Sequence, residues 1–363
     1  MASLLYADIK TDEKIQRLEE SILKLQKILK QNQEADDDIE AVITKLERNS
    51  LKMNGYINSY YVAYNGTANA SEVDGFRLKY ISFIPHQQVN DKLRWLSEIE
   101  FEDMPRLESN ETDNGSLTNN STGQIFVERA YIQYDISSKL KFRIGRDFLY
   151  STIYSDNHYP SFVLNQFRPY LERKVFNPIV DGLQFMGNFN LNHVGMDYVL
   201  YYGNGNVYKA GKDINSQDLV GTRVRFSLPY FKLSRLSFAF ADGYTSDTAI
   251  PSDYKKHAMA VGLEEKIGNA SLTLQYAKAK MAKEKRITRE GYYLRLAYTF
   301  NRITPWIYYE TYDATDEGAL LVQKRGSVGI EYALSKEYKL RLEHYISYDV
   351  SDEETVLTFA LNF

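Results

Sequence analysis

The sequence predicts an all-β transmembrane barrel of sixteen antiparallel strands, preceded by an N-terminal α-helical coiled coil. Three observations carry that expectation. The hydrophobic period drops to two near residue 51, long polar connections alternate with tight turns, and the last strand ends on an aromatic ring. At 363 residues the chain is ample for one large barrel. No stretch approaches the roughly 18 apolar residues of a membrane helix. Barrel strands hide their hydrophobicity by alternating it, so this does not count against a membrane. Thirty Tyr and 18 Phe against two Trp suit strands and membrane–water girdles alike. With no cysteine, a disulfide framework, a thiol nucleophile and a thiolate metal site are excluded. The net charge of −4 implies no polyanion partner, nucleic acid included.

Residues 1–11 are expected to be the remnant of a secretory signal. Ser3-Leu4-Leu5-Tyr6 precedes small Ala7, with cleavage before Asp8; an ordinary disordered start is the alternative. Residues 12–52 follow a heptad. With Ile15 at a, the a positions are Ile15, Ile22, Leu29, Asp36, Ile43 and Ser50, and the d positions are Leu18, Leu25, Asn32, Ile39, Leu46 and Met53. Ile28, Ala35 and Val42 at g widen the apolar seam, which favours three strands over two, and Asn32 and Asp36 form a polar layer of the kind that fixes register. A helical hairpin bending within Gln31–Asp38 is the alternative.

From residue 53 to 363 the period is two. Sixteen strands are expected at about 51–65, 75–85, 91–104, 124–136, 139–149, 179–190, 193–203, 219–228, 233–244, 256–267, 270–281, 290–300, 303–312, 325–334, 337–348 and 354–363. Leu272, Leu274 and Tyr276 oppose Thr273 and Gln275; Val220, Val224 and Phe226 oppose Arg223 and Arg225. Leu357, Phe359, Leu361 and Phe363 share one face of the final strand. The connections 66–74, 105–123, 150–178, 204–218, 245–255, 282–289 and 313–324 are long and polar, whereas 137–138, 190–192, 268–269, 301–302 and 335–336 are short. Short periplasmic turns and long outer loops keep this parity in outer-membrane barrels. An even strand number then leaves both termini in the periplasm, with the coiled coil.

No Walker A, HExxH or G-x-S-x-G motif is present, and the five histidines are scattered over different elements. The expectation is therefore no enzyme, no cofactor and no metal. The candidate of most interest is 150–178, the third outer connection and the longest. It carries Tyr150, Tyr154, Tyr159, Phe162, Phe167, Tyr170 and Phe176, a composition that argues against disorder.

Val127-Glu128-Arg129-Ala130-Tyr131-Ile132-Gln133-Tyr134 followed by Leu140-Lys141-Phe142-Arg143-Ile144-Gly145-Arg146 resembles the hairpin before the third loop of Gram-negative porins. Tyr170-Leu171-Glu172-Arg173 with Asp181-Gly182-Leu183-Gln184 is similar to phosphate-selective porins, some of which carry an N-terminal coiled coil. The general resemblance covers residues 51–363 and the narrower one about 60 of them. It implies a third loop folded into the lumen, a homotrimer with one pore per subunit, and a C-terminal Phe serving as the signal for barrel insertion.

Strand parity turns Arg94, Arg129, Lys141, Arg143, Arg223, Arg225, Arg295 and Arg341 inward, against Glu98, Glu100, Glu331 and Glu343. Arg or Lys facing the lipid midplane costs about 2–4 kcal/mol. The third loop adds Arg168, Arg173 and Lys174 against Asp156 and Glu172. As a constriction, Arg129, Arg143, Arg168, Glu172, Arg173, Lys174, Arg223, Arg225, Arg295 and Arg341 predict a mild preference for anions. The alternative is that the arginines pair with the glutamates and hold the barrel in shape. A dense basic ladder, as phosphate selectivity requires, is not evident.

The expected function is passive diffusion of small hydrophilic solutes or anions through a water-filled pore in the outer membrane. The expected partners are two further copies of the chain, lipid, lipopolysaccharide, and peptidoglycan within reach of the coiled coil; the basic run Lys278–Arg286 reads more readily as a solvated loop than as a contact for lipopolysaccharide phosphates. The rival readings are a structural tether or adhesin anchored by a plugged barrel, a barrel enzyme, and a soluble β-rich protein with a helical stalk.

Overall fold

The computed structural model describes residues 20–27, 29–30, 33, 49–65, 74–102, 124–156, 158–176, 179–191, 193–206, 214–228, 234–247, 250–282, 286–316, 319–348 and 352–363. The chain divides into two units, Met1–Leu51 and Lys52–Phe363. In the first, residues 20–27, 29, 30 and 33 are helical (α1), with Ile22, Leu25 and Leu29 exposed. The signal remnant (1–11) and the polar layer of Asn32 and Asp36 lie outside the described residues.

The second unit is a closed barrel of sixteen strands in which each strand pairs with its sequence neighbours and the first pairs with the last. The strands are β1 (Lys52–Asn65), β2 (Gly75–Gln88), β3 (Leu93–Glu102), β4 (Gln124–Ser137), β5 (Leu140–Phe148), β6 (Ile179–Leu191), β7 (Val194–Asn206) and β8 (Ile214–Leu228). They continue with β9 (Ser234–Asp247), β10 (Ile250–Ile267), β11 (Ala270–Ala282), β12 (Arg286–Tyr298), β13 (Ile303–Asp316), β14 (Ala319–Ala333), β15 (Tyr338–Ser347) and β16 (Asp352–Asn362). Two short helices, α2 (Ile153–Asp156) and α3 (Tyr170–Lys174), sit between β5 and β6. All ladders are antiparallel, so closure leaves no unpaired sheet edge.

Several outer connections are shorter than the sequence predicts. β9 ends at Asp247 and β10 begins at Ile250; β13 ends at Asp316 and β14 begins at Ala319; β8 begins at Ile214 rather than near 219. The hydrophobic alternation stops where lipid stops, but the backbone ladder needs no apolar side chain and runs on into polar sequence.

The outward face is apolar. Ile132, Phe185, Leu200, Phe240, Leu274, Leu296, Ile307, Val328, Leu342 and Phe359 are all exposed. A continuous belt of this kind has no stable place in water and is satisfied by acyl chains. Aromatic rings gather toward both rims: Phe83 with Phe363 and Tyr298 with Phe300 on the short-turn side, and Tyr309 with Tyr292 and Tyr348 on the other. The inward face carries the polar residues, among them Glu98, Arg143, Gln184, Thr273, Glu331 and Thr358, all buried. No helix among the described residues is long and apolar enough to cross a membrane.

The closing seam is specific. Gly55 N donates to Phe363 O and Phe363 N to Gly55 O, both at 2.9 Å. A Cβ at residue 55 would stand 2.4 Å from Phe363 Cζ and 2.4 Å from Ser82 O. Glycine is required here because the terminal ring occupies the space of its side chain.

Candidate functional site: a lumenal segment fastened to the wall

Residues 149–178 leave β5 and enter β6, and in between they bond to wall strands around the interior. On the β1–β16–β15 side, Gln166 pairs with Asn58 through its amide (Nε2 to Asn58 Oδ1, 3.0 Å) and accepts from Thr358 Oγ1 at 3.1 Å. Gln166 N donates to Glu343 Oε2 at 2.8 Å and Phe167 N to the Tyr345 hydroxyl at 3.2 Å. Arg341 is fully buried and donates to the carbonyls of Pro160 and Leu164 while lying 3.4 Å from Glu331. On the β13–β14 side, Tyr170 N donates to Glu310 Oε2 at 2.7 Å, and Arg325 bridges Glu310 (2.8 Å) and the Arg168 carbonyl (3.1 Å). Lys174 donates to Gln323 and stands 4.7 Å from the Tyr312 ring centroid. Across the lumen, Ile153 N donates to Gln275 Oε1 on β11 at 3.0 Å.

The β7–β8 wall holds the end of α2. Arg223 Nη1 reaches both oxygens of Asp156 at 2.7 Å and Arg225 Nη1 reaches Oδ2 at 2.6 Å; Asp197 bridges the same two guanidinium groups at 3.0 and 2.7 Å. Burial lifts the Asp156 carboxyl above its usual range, and the two arginines oppose this. On β3–β5, Arg129 donates to Glu98 at 2.6 Å and to the Tyr159 hydroxyl, with its guanidinium 5.2 Å from the Phe148 ring centroid. Arg143 pairs with Asp147, donates to Gln133 Oε1 at 2.7 Å and stacks 3.9 Å from the Tyr131 centroid. Inside the segment, the Glu172 carboxyl accepts from Thr152 Oγ1 while its Oε1 is buried without a hydrogen bond. Burial pushes its pKa up to about 8, against the pull of that hydroxyl and of Arg168.

The remaining side of the segment is greasy. Leu149, Leu171, Val175 and Phe176 form one buried cluster with Val180, Val199, Tyr201 and the inward alanines of β9–β11. Those alanines stand in two cross-strand rows, Ala241–Ala258–Ala279 and Ala239–Ala260–Ala277. Sequence reasoning, looking for polar residues in the lumen, passed over them. The signal was there in three Ala-x-Ala pairs at inward parity on consecutive strands.

Of the ten residues expected at the constriction, Arg129, Arg143, Arg223, Arg225 and Arg341 are gathered into these wall contacts, whereas Glu172 bonds to Thr152 within the segment and Lys174 to Gln323 on β14. Arg168 lies 4.0 Å from Glu128. Arg295 stands apart. Its Nη2 donates to Thr273 Oγ1 at 3.2 Å, and it lines a cavity of about 100 Å³ with Tyr154, Asn165, Glu264 and Tyr293. Arg173 belongs to α3, its side chain outside the described set. Arg325 and Glu310 were not among the expected residues, although Arg325 has the same inward parity as Ser327 and Glu331; it stands at the first position of the strand expected at 325–334.

A sixteen-stranded closed barrel with an apolar outer belt, a polar inner wall and a segment folded inside it defines a transmembrane β-barrel channel. The chain belongs to the Gram-negative porin family, whose sequence pattern matches residues 33–355, and it is an outer-membrane porin. Similar solved structures include OmpF of Salmonella typhi in complex with daunomycin (TM-score 0.61, 13% identity, 87% of this chain and 98% of that one). An anion-selective porin from Comamonas acidovorans is also similar (0.61, 11%, 87% and 100%), as is the in-vitro folded trimer form of OmpT, an outer membrane protein of Vibrio cholerae (0.59, 13%, 87% and 99%). No curated protein matches by sequence.

Proposed function

We propose that this porin passes small hydrophilic solutes and ions by passive diffusion, with residues 150–178 as a fixed constriction, and that no catalytic step or cofactor takes part. The observation that carries the reading is the fastening of that segment to opposed walls, at Arg223–Asp156, Tyr170–Glu310 and Gln166–Glu343. A loop tied at so many points narrows the lumen instead of sweeping the outer surface.

Arg129, Arg143, Arg168, Glu172, Arg173, Lys174, Arg223, Arg225, Arg295 and Arg341 are the residues we assign to the constriction. Six of these arginines sit beside carboxylates, which supports the pairing role over a free positive field. The selectivity left over is a weak preference for anions, with Arg295, which shares its cavity with Glu264, as the arginine to test. The functional unit is a homotrimer, and residues 12–52 form a periplasmic three-stranded coiled coil whose a and d residues Ile22, Leu25 and Leu29 meet their copies.

Planar-bilayer recording of detergent-purified protein under a salt gradient tests this. Stable conductance steps with a small reversal potential of anion sign are expected, and Arg295→Gln moves that potential toward cations. Folded, inserted protein that conducts nothing would overturn the reading.

A further inference from the structure

We propose that His158, Glu98 and Glu128 form a binding site for a first-row transition-metal dication of the Zn²⁺ type, clamping the lumenal segment to β3 and β4. One ligand atom from each of the three lies within 4.8 Å of the others, and all three residues are buried. The imidazole is held between Phe148 and Tyr159, with ring centroids 4.1 and 4.5 Å away. Its Nδ1 lies 3.4 Å from the Ser155 carbonyl, which places the N–H on that nitrogen and the lone pair on Nε2.

Nε2 is buried and makes no hydrogen bond among the described residues, and Glu128 Oε2 faces it at 3.9 Å. That separation is too long for a hydrogen bond. It suits two ligands that share an ion at about 2.1 Å from each, once they close by a few tenths of an ångström.

Charge permits the ion. The negative charges that would meet the dication are Glu98, paired with Arg129 at 2.6 Å, and Glu128, 4.0 Å from Arg168, so the ion shares each carboxylate with a guanidinium group. A nitrogen ligand beside two carboxylates selects zinc and its neighbours over Mg²⁺ or Ca²⁺, which take oxygen sets. Such an ion would cross-link a segment residue to two wall strands.

Calorimetric titration of metal-stripped, detergent-purified full-length protein with ZnCl₂ tests the site. One saturable equivalent per chain is expected, weakened about 10–100-fold in His158→Gln and in the isosteric Glu128→Gln. Co²⁺ in place of Zn²⁺ should give a visible d–d band in the wild type and lose it in both variants. Retained heat-modifiable migration shows that each variant folds. The proposal is overturned by the absence of saturable binding. It is equally overturned by unchanged affinity in both folded variants, which would move the zinc to exposed pairs such as His257 with Asp242.

Discussion

Glu172 shows how much one buried carboxyl can tell a pH titration. Burial raises its pKa to about 8, with Asp156 and Glu310 adding to the rise and Thr152 and Arg168 opposing it. The folded protein therefore holds a proton that the unfolded chain releases near pH 4.3. Stability is greatest below that value and falls as pH rises toward 8, because the native state binds the extra proton across this window. Urea unfolding at pH 6 and pH 8.5 should show a loss of at least about 1.4 kcal/mol from this group, one pKa unit's worth. Glu172→Gln, which cannot ionise, should flatten that dependence. Gly55 tests the closing seam at the same scale. Gly55→Ala puts a methyl group into the Phe363 ring and the Ser82 carbonyl, and overpacking of this kind costs typically about 1–3 kcal/mol. A lower temperature of heat-modified migration for Gly55→Ala is the expected readout; unchanged migration would mean that the seam relaxes.

At the scale of elements, the alanine rows and the arginine clamp hold the segment by different physics. Ala277 is fully buried between the β10 and β12 neighbours of its row, so Ala277→Leu should displace the α3 end of the segment and alter single-channel conductance. Removing both Arg223 and Arg225 leaves Asp156 buried beside Asp197 with no counter-charge, at a cost of about 3–5 kcal/mol. The double alanine variant should conduct more and flicker more, as a bilayer recording would show directly. The strands themselves were legible in the sequence. Leu272-Thr273-Leu274-Gln275-Tyr276 needs only period two and a membrane to be placed, and its faces fall as alternation demands. What lay beyond reach was partnership. Nothing near Arg341 in sequence indicates that it caps carbonyls at 160 and 164, and nothing near Gln166 points to residues 58 and 358. Strand ends were misplaced for a related reason, because a ladder outside lipid carries no hydrophobic signature. The inward alanines carry no charge and little hydrophobic contrast, so strand parity alone did not mark them as a packing surface.

For the whole molecule, trimeric assembly predicts that inserted channels close in thirds and that folded protein migrates as a trimer on an unheated gel. Deleting residues 1–51 should leave the closed barrel able to conduct while lowering the temperature at which trimers separate, since the barrel is a contact unit of its own. Unaltered trimer stability in that truncation would remove the coiled coil from assembly. The seam also orders events in time. Gln166 is bonded at once to Asn58 on the first strand and Thr358 on the last. The chain spells those two strands some 300 residues apart, and they meet only when the sheet closes. The Gln166 fastening is therefore complete only in the closed cylinder. A sheet still open at that edge would hold its gatekeeper by ties such as those to β8 and β13, with one hinge point left unlatched.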